Sequence, residues 1–158
     1  MTAASRSTWL LAVTWVCIVA GVAQLAVLSQ RVERTPDELN YQLAGRVLVA
    51  RQPLTQIEER FQGPLILVGT QLTDTKPRAS TDDALRAARL GMVVFPAVLM
   101  VVLAMWSAAA LGAVAGAWVA FLAATSPALL AYGPLLSSDV AFTAMALPTA
   151  AALWRWLR

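Results

Sequence analysis

The sequence predicts an all-α, polytopic membrane protein with about four transmembrane helices. Of its 158 residues, 59% are hydrophobic and only 13% are charged, whereas soluble domains are near half apolar and a quarter charged. In addition, no charged residue lies between Arg89 and Asp139. A straight helix through that gap would be roughly 70 Å long against a hydrocarbon core of about 30 Å, so the chain has to turn back within it.

The first apolar run, residues 9–28, is long enough to cross a bilayer and is flanked by Arg6 and Arg31. A cleavable signal peptide is the alternative, because Arg6 fits its basic region and Gly21 lies in a small-residue sequence of the kind that is cleaved. We favour a retained span because the apolar run continues beyond Gly21 to Leu28.

Residues 29–89 are polar and mixed in charge, and they are expected to form a loop that contains an amphipathic helix. Thr35 can cap this helix, Pro36 fits its first position, and the Glu38 carboxylate stands where it can return to the N–H of the cap. The helix should continue to about residue 50.

Ser80 and Asp83 form a second helix start, and the helix should lead directly into the second span. That span is expected near residues 90–106, the third near 111–130 and the fourth near 139–154.

Small residues recur at every fourth position around the third span, which predicts close approach of another helix. They are Ala108, Gly112, Gly116, Ala120 and Ala124. Packing within one bundle is favoured over a dedicated dimer face. Pro148 should kink the last span.

Four spans place both termini on the same side of the membrane, with residues 1–158 forming a single membrane domain. The short ends carry Arg6, Arg155 and Arg158 without an acidic residue, which favours a cytoplasmic location for both. The loop 29–89 then faces outward. We expect an integral protein of a bacterial inner membrane.

Carboxylates are the candidate acid–base groups, because the chain has no histidine. Asp37, Glu38 and Asp139 all fall on the outer face, where they can accept a proton from a hydroxyl or hold a divalent cation against a phosphate. The alternative is that each only interacts with a helix dipole. Most arginines lie among acidic residues, so a nucleic-acid partner is not expected.

Several short motifs follow one another in a fixed order: a first span, then Asp37-Glu38 with Tyr41 and Ala44, then Gly63-Pro64-Leu65, the segment 84–90, and Ser138-Asp139-Val140 opening a later span. This order resembles the N-terminal part of the GT-C class membrane glycosyltransferases, such as the protein O-mannosyltransferases and the lipid A aminoarabinose transferases.

The resemblance implies sugar transfer from a polyprenyl-phosphate donor outside the cytoplasm. Asp37 would be the general base or would orient the acceptor, Glu38 would be its neighbour, and Asp139 would be a second acid near the site or near a metal ion. Arg86 or Arg89 could bind the donor phosphate, since guanidinium groups suit phosphate oxygens. The alternative for both arginines is extension to the membrane interface.

This sequence departs from the pattern of the family in two ways. It has many more spans, so the chain is expected to be part of a larger fold and inactive alone, and the lysine and additional proline of the aminoarabinose transferases are replaced by Gln62 and Gly63. The alternative function is a small non-enzymatic assembly or accessory protein that binds another membrane protein. A transporter or channel fragment is disfavoured, because only Asp139 is ionisable in the apolar half before Arg155.

Overall fold

The protein is described by a computed structural model in which all regular structure is helical. About 90% of the described residues are helical and none of them forms a strand, which confirms the all-α prediction. The residues that the structure describes are 3–31, 33, 35, 38, 40, 41, 81–135 and 138–157.

The described part of the chain contains six principal helices, numbered here in chain order. They are α1 (Ala3–Arg31), α2 (Thr81–Met92), α3 (Val94–Leu111), α4 (Ala113–Ala124), α5 (Pro127–Tyr132) and α6 (Ser138–Trp156).

Among the described residues, two helical stretches are long and apolar enough to cross a membrane: Ser7–Arg31, with 25 residues, and Leu85–Leu111, with 27. At 1.5 Å per residue they measure about 38 and 40 Å, against a hydrocarbon core of about 30 Å. Only 17% of the apolar part of the first stretch is buried inside the molecule. It therefore differs from the core helix of a soluble protein, which would be mostly covered.

Helices α2 and α3 follow one another with a single irregular turn at Val93. The Val93 N–H bonds to the carbonyl of Leu90, three residues earlier, at 3.3 Å. Shortly after this turn, Pro96 has no N–H to donate to the carbonyl of Met92. The helix predicted to continue from the loop into the second apolar stretch is thus confirmed. Its expected cap at Ser80 lies outside the described residues.

The chain reverses at Gly112, which alone separates α3 from α4. Its φ of 96° and ψ of 166° belong to a region that is essentially restricted to glycine. Farther along α4, a Cβ at Gly116 would lie 2.7 Å from the Cβ of Ala108 and 2.9 Å from the carbonyl oxygen of Ala104. Glycine at this position lets the two helices approach closely.

The small residues therefore pack within one bundle, as expected, but not along a single helix. Ala108 belongs to α3 and Gly116 to α4, so they face each other across the turn. Gly112 is exposed at the turn itself. Ala120 and Ala124 are buried, and a Cβ on Gly21 of α1 would lie 2.9 Å from the Ala124 Cβ.

The single helix expected over residues 111–130 is divided into α4 and α5. Pro127 cannot donate to the carbonyl of Ala123, and the Ser126 side chain instead caps α5 by accepting a hydrogen bond from Leu129 N–H at 3.3 Å. With 12 residues, α4 is only about 18 Å long, which is shorter than the hydrocarbon core.

The last predicted span corresponds to α6, which has 19 residues and continues through Pro148. Ala141 and Ala144 near its start are fully buried against α2 and α3, in a cluster that includes Leu85 and Phe95. Helix α6 therefore packs along α3, and its first turns share a buried cluster with α2.

The bundle has two ends of different chemistry. The polar end holds the last turn of α1 with Arg31, helix α2 with Arg89 in its last turn, and the start of α6 with Asp139. The tryptophan end holds the Gly112 turn, the beginning of α1 and the end of α6. All six tryptophans of the chain lie in that half and are exposed: Trp9, Trp15, Trp106, Trp118, Trp154 and Trp156.

Candidate functional site

The candidate site lies at the polar end, where a glutamate and an arginine are both buried. The side chain of Glu38 is 1% exposed and that of Arg89 is 3% exposed. Burying a charged group is costly unless it is paired and hydrogen-bonded. The geometry around the two residues therefore determines whether this burial is tolerated.

The two side chains form a bidentate ion pair. Arg89 Nε donates to Glu38 Oε1 at 2.7 Å, and Arg89 Nη2 donates to Glu38 Oε2 at 2.5 Å. The same Nη2 also donates to the backbone carbonyl of Glu33 at 3.0 Å. Parallel hydrogen bonds of this kind combine strength with a fixed orientation.

Glu38 also closes the helix start that the sequence predicts. Its Oε2 accepts hydrogen bonds from the backbone N–H of Thr35 at 3.1 Å and from the Thr35 hydroxyl at 3.2 Å. Glu38, Asn40 and Tyr41 are helical. The return of the carboxylate to the cap N–H is thus confirmed, whereas the expected continuation to residue 50 lies outside the described residues.

Through these contacts, the segment that follows α1 is fixed to α2. We call the group of Thr35, Glu38 and Arg89, with the Glu33 carbonyl, the polar clamp. A second link runs from α1 to α2, because Gln30 Nε2 donates to the backbone carbonyl of Arg86 at 3.2 Å.

The other predicted site residues are placed differently. Asp37 lies outside the described residues. Asp139 is exposed in the first turn of α6, where its backbone carbonyl accepts a hydrogen bond from the Thr143 hydroxyl at 2.9 Å. Arg86 is exposed on α2. Of the five residues predicted for the site, the structure brings Glu38 and Arg89 into direct contact.

The sequence patterns do not predict this ion pair: they indicate Glu38 as a candidate acid and Arg89 as a candidate phosphate ligand. The helical spacing of α2 contains the missing signal. Leu85, Ala88, Arg89 and Met92 recur at the interval of one helix face, and all four are buried. A charged residue on such a face requires a partner of opposite charge.

No group of three or more His, Cys, Asp or Glu side chains that could hold a metal ion occurs in the described part of the chain. No protein-family model, curated protein or solved structure matches this chain.

Proposed function

We propose that this chain is the N-terminal module of a membrane glycosyltransferase that uses a polyprenyl-phosphate sugar donor on the extracytoplasmic face. The observation that supports the proposal is the polar clamp. It fixes Glu38, the neighbour of Asp37 in the sequence, to the helix that continues into an apolar stretch. A catalytic carboxylate needs such a rigid support at the membrane boundary.

In this proposal Asp37 takes the proton from the acceptor hydroxyl, which attacks the anomeric carbon of the donor sugar while polyprenyl phosphate leaves. Both carboxylate oxygens of Glu38 accept hydrogen bonds from Arg89 or Thr35. Glu38 is thereby held in place, and in this proposal it positions Asp37, its neighbour in the sequence. Of the two arginines considered for the donor phosphate, the exposed Arg86 is better placed. Arg89 could bind phosphate only after leaving Glu38.

Asp139 would contribute a second acid at the same end of the bundle. It opens α6, whose first turns pack on the same buried cluster as Tyr41. Tyr41 follows the Asp37-Glu38 pair by about one helical turn. This shared packing supports a site formed between the clamp and the start of α6.

The proposed membrane arrangement has four passes: α1, α2–α3, α4 with α5, and α6. The polar end would face outward and the tryptophan end would lie at the cytoplasmic surface of a bacterial inner membrane, with both termini inside. Tryptophan is enriched at both membrane–water interfaces, so the exposed tryptophans of this half support placing the tryptophan end near an interface, while the cytoplasmic side is proposed from the charges of the termini.

The transfer reaction is tested with the complete gene, or with this chain together with the remaining spans of the fold. Asp37→Asn should lower sugar transfer from a polyprenyl-phosphate donor by roughly a hundredfold or more, because the amide keeps the shape of the carboxylate but cannot act as a base. The matched control is Glu33→Gln, since the Glu33 side chain is exposed. Wild-type transfer by Asp37→Asn would refute the catalytic role.

The topology is tested with single cysteines introduced at Gln56 and Arg158 in a Cys17→Ser background. On intact cells an impermeant thiol reagent should label the Gln56 position and leave the Arg158 position unlabelled. The reverse pattern would invert the proposed orientation.

The same ion pair also favours the alternative function, a non-enzymatic accessory protein, if its role is structural. Glu38 and Arg89 neutralise each other, as they would in a purely structural clamp. The partner would then be another membrane protein held against the apolar exterior. A wild-type complete protein that transfers no sugar from any polyprenyl-phosphate donor would support this alternative.

A further inference from the structure

A groove between α3 and α6 opens on the surface at the tryptophan end, opposite the candidate site. Its volume is about 890 Å³, within the range of roughly 300–1,000 Å³ that is typical of ligand sites. The groove exists because both helices carry small residues where they face it: Ala109 and Ala110 on α3, and Ala151 and Ala152 on α6.

Larger side chains with a different chemistry also line this groove. Trp106 and Trp154 are 38% and 51% exposed, and Arg155 lies in the last turn of α6. The side chains described along the groove include no carboxylate. An apolar channel is therefore combined with a cation and with two residues that favour the membrane interface.

We infer that this groove binds an anionic phospholipid of the surrounding bilayer. One acyl chain lies along the alanine-lined channel, and the phosphate group contacts Arg155. A guanidinium group suits phosphate oxygens in charge and geometry, and basic pockets between membrane helices bind anionic headgroups. The site requires that the bundle lies in a membrane, but it does not depend on the transfer reaction at the other end.

The experiment uses the full chain reconstituted in vesicles of equal parts phosphatidylglycerol and phosphatidylcholine, then extracted in mild detergent. Native mass spectrometry counts the lipids that each molecule retains. The wild type should retain phosphatidylglycerol over phosphatidylcholine by roughly fivefold, the effect expected of one arginine near an anionic headgroup. Arg155→Gln should remove this preference, and Arg155→Lys should keep most of it.

Two further variants separate a built site from general charge attraction. Arg31→Gln removes the same charge at the polar end, where Arg31 is exposed, and should retain the wild-type lipid preference. Ala152→Trp places a bulky ring in the groove and should lower phosphatidylglycerol retention while the helical circular dichroism is unchanged. Equal retention of both lipids by the wild type, an unchanged preference in Arg155→Gln, or an equal loss in Arg31→Gln would each overturn the proposal.

Discussion

At the polar end, Glu38 and Arg89 join two segments that are 51 residues apart through charged hydrogen bonds, whereas Ala108 and Gly116 join neighbouring helices by van der Waals contact alone. The Glu38–Arg89 contact depends on a few polar atoms in one geometry. The Ala108–Gly116 contact depends on the missing side chain of glycine, because a Cβ at Gly116 would clash with Ala108. We therefore expect the fold to lose stability both when atoms are removed from the ion pair and when atoms are added at Gly116.

The largest effect is expected from breaking the ion pair on one side only. Arg89→Met leaves the Glu38 carboxylate buried without its main partner, which should lower the free energy of unfolding by about 3–5 kcal/mol. Denaturant unfolding in micelles, followed by circular dichroism, measures this change.

Two companion variants sharpen this test. Arg86→Met, at an exposed position of the same helix, should change the free energy of unfolding by no more than about 0.5 kcal/mol. Combining Arg89→Met with Glu38→Met should recover much of the loss, because no buried charge remains. Similar, small losses for Arg89→Met and Arg86→Met would show that the polar clamp does not stabilise the fold.

A smaller effect is expected where the helices touch without polar groups. Gly116→Leu should lower the free energy of unfolding by about 1–3 kcal/mol, because the new side chain forces α3 and α4 apart. Val114→Leu is the matched control, since Val114 is 57% exposed. Equal tolerance of both substitutions in the same micelle assay would contradict the close α3–α4 contact.

The smallest effect should come from the helix cap within the polar clamp. Thr35→Ala removes the hydroxyl that donates to Glu38 Oε2 and should cost about 1 kcal/mol, the usual net value of one hydrogen bond. Thr35→Ser keeps a hydroxyl and should retain most of the stability. A loss in Thr35→Ser as large as that in Thr35→Ala would mean that the methyl group, rather than the hydroxyl, is important.

The same contrast explains what could be predicted from the sequence. The helix start at Thr35 and the turn within the uncharged segment follow from local rules, and both are confirmed. The Glu38–Arg89 pair could not be located in the same way, because it joins residues that only the folded chain brings together. The buried face of α2 indicates that Arg89 needs a partner, but it does not identify that partner among several acidic residues.

The stripe of small residues shows a second limit. A four-residue interval predicts close packing, yet it does not state whether the stripe crosses a turn. Gly112 occupies one position of the stripe and also has the backbone conformation that ends α3. Spacing alone treats it as another small contact residue.

The one-residue connection at Gly112 also bears on how the chain enters a bilayer. The end of α3 and the start of α4 stay within about one helix diameter, roughly 10 Å, once the turn has formed. Closing so short a loop costs less chain entropy than bringing Glu38 to Arg89 across 51 residues. In the proposed membrane arrangement, α4 is too short to cross a bilayer alone, and it would enter the bilayer together with α3 as one unit.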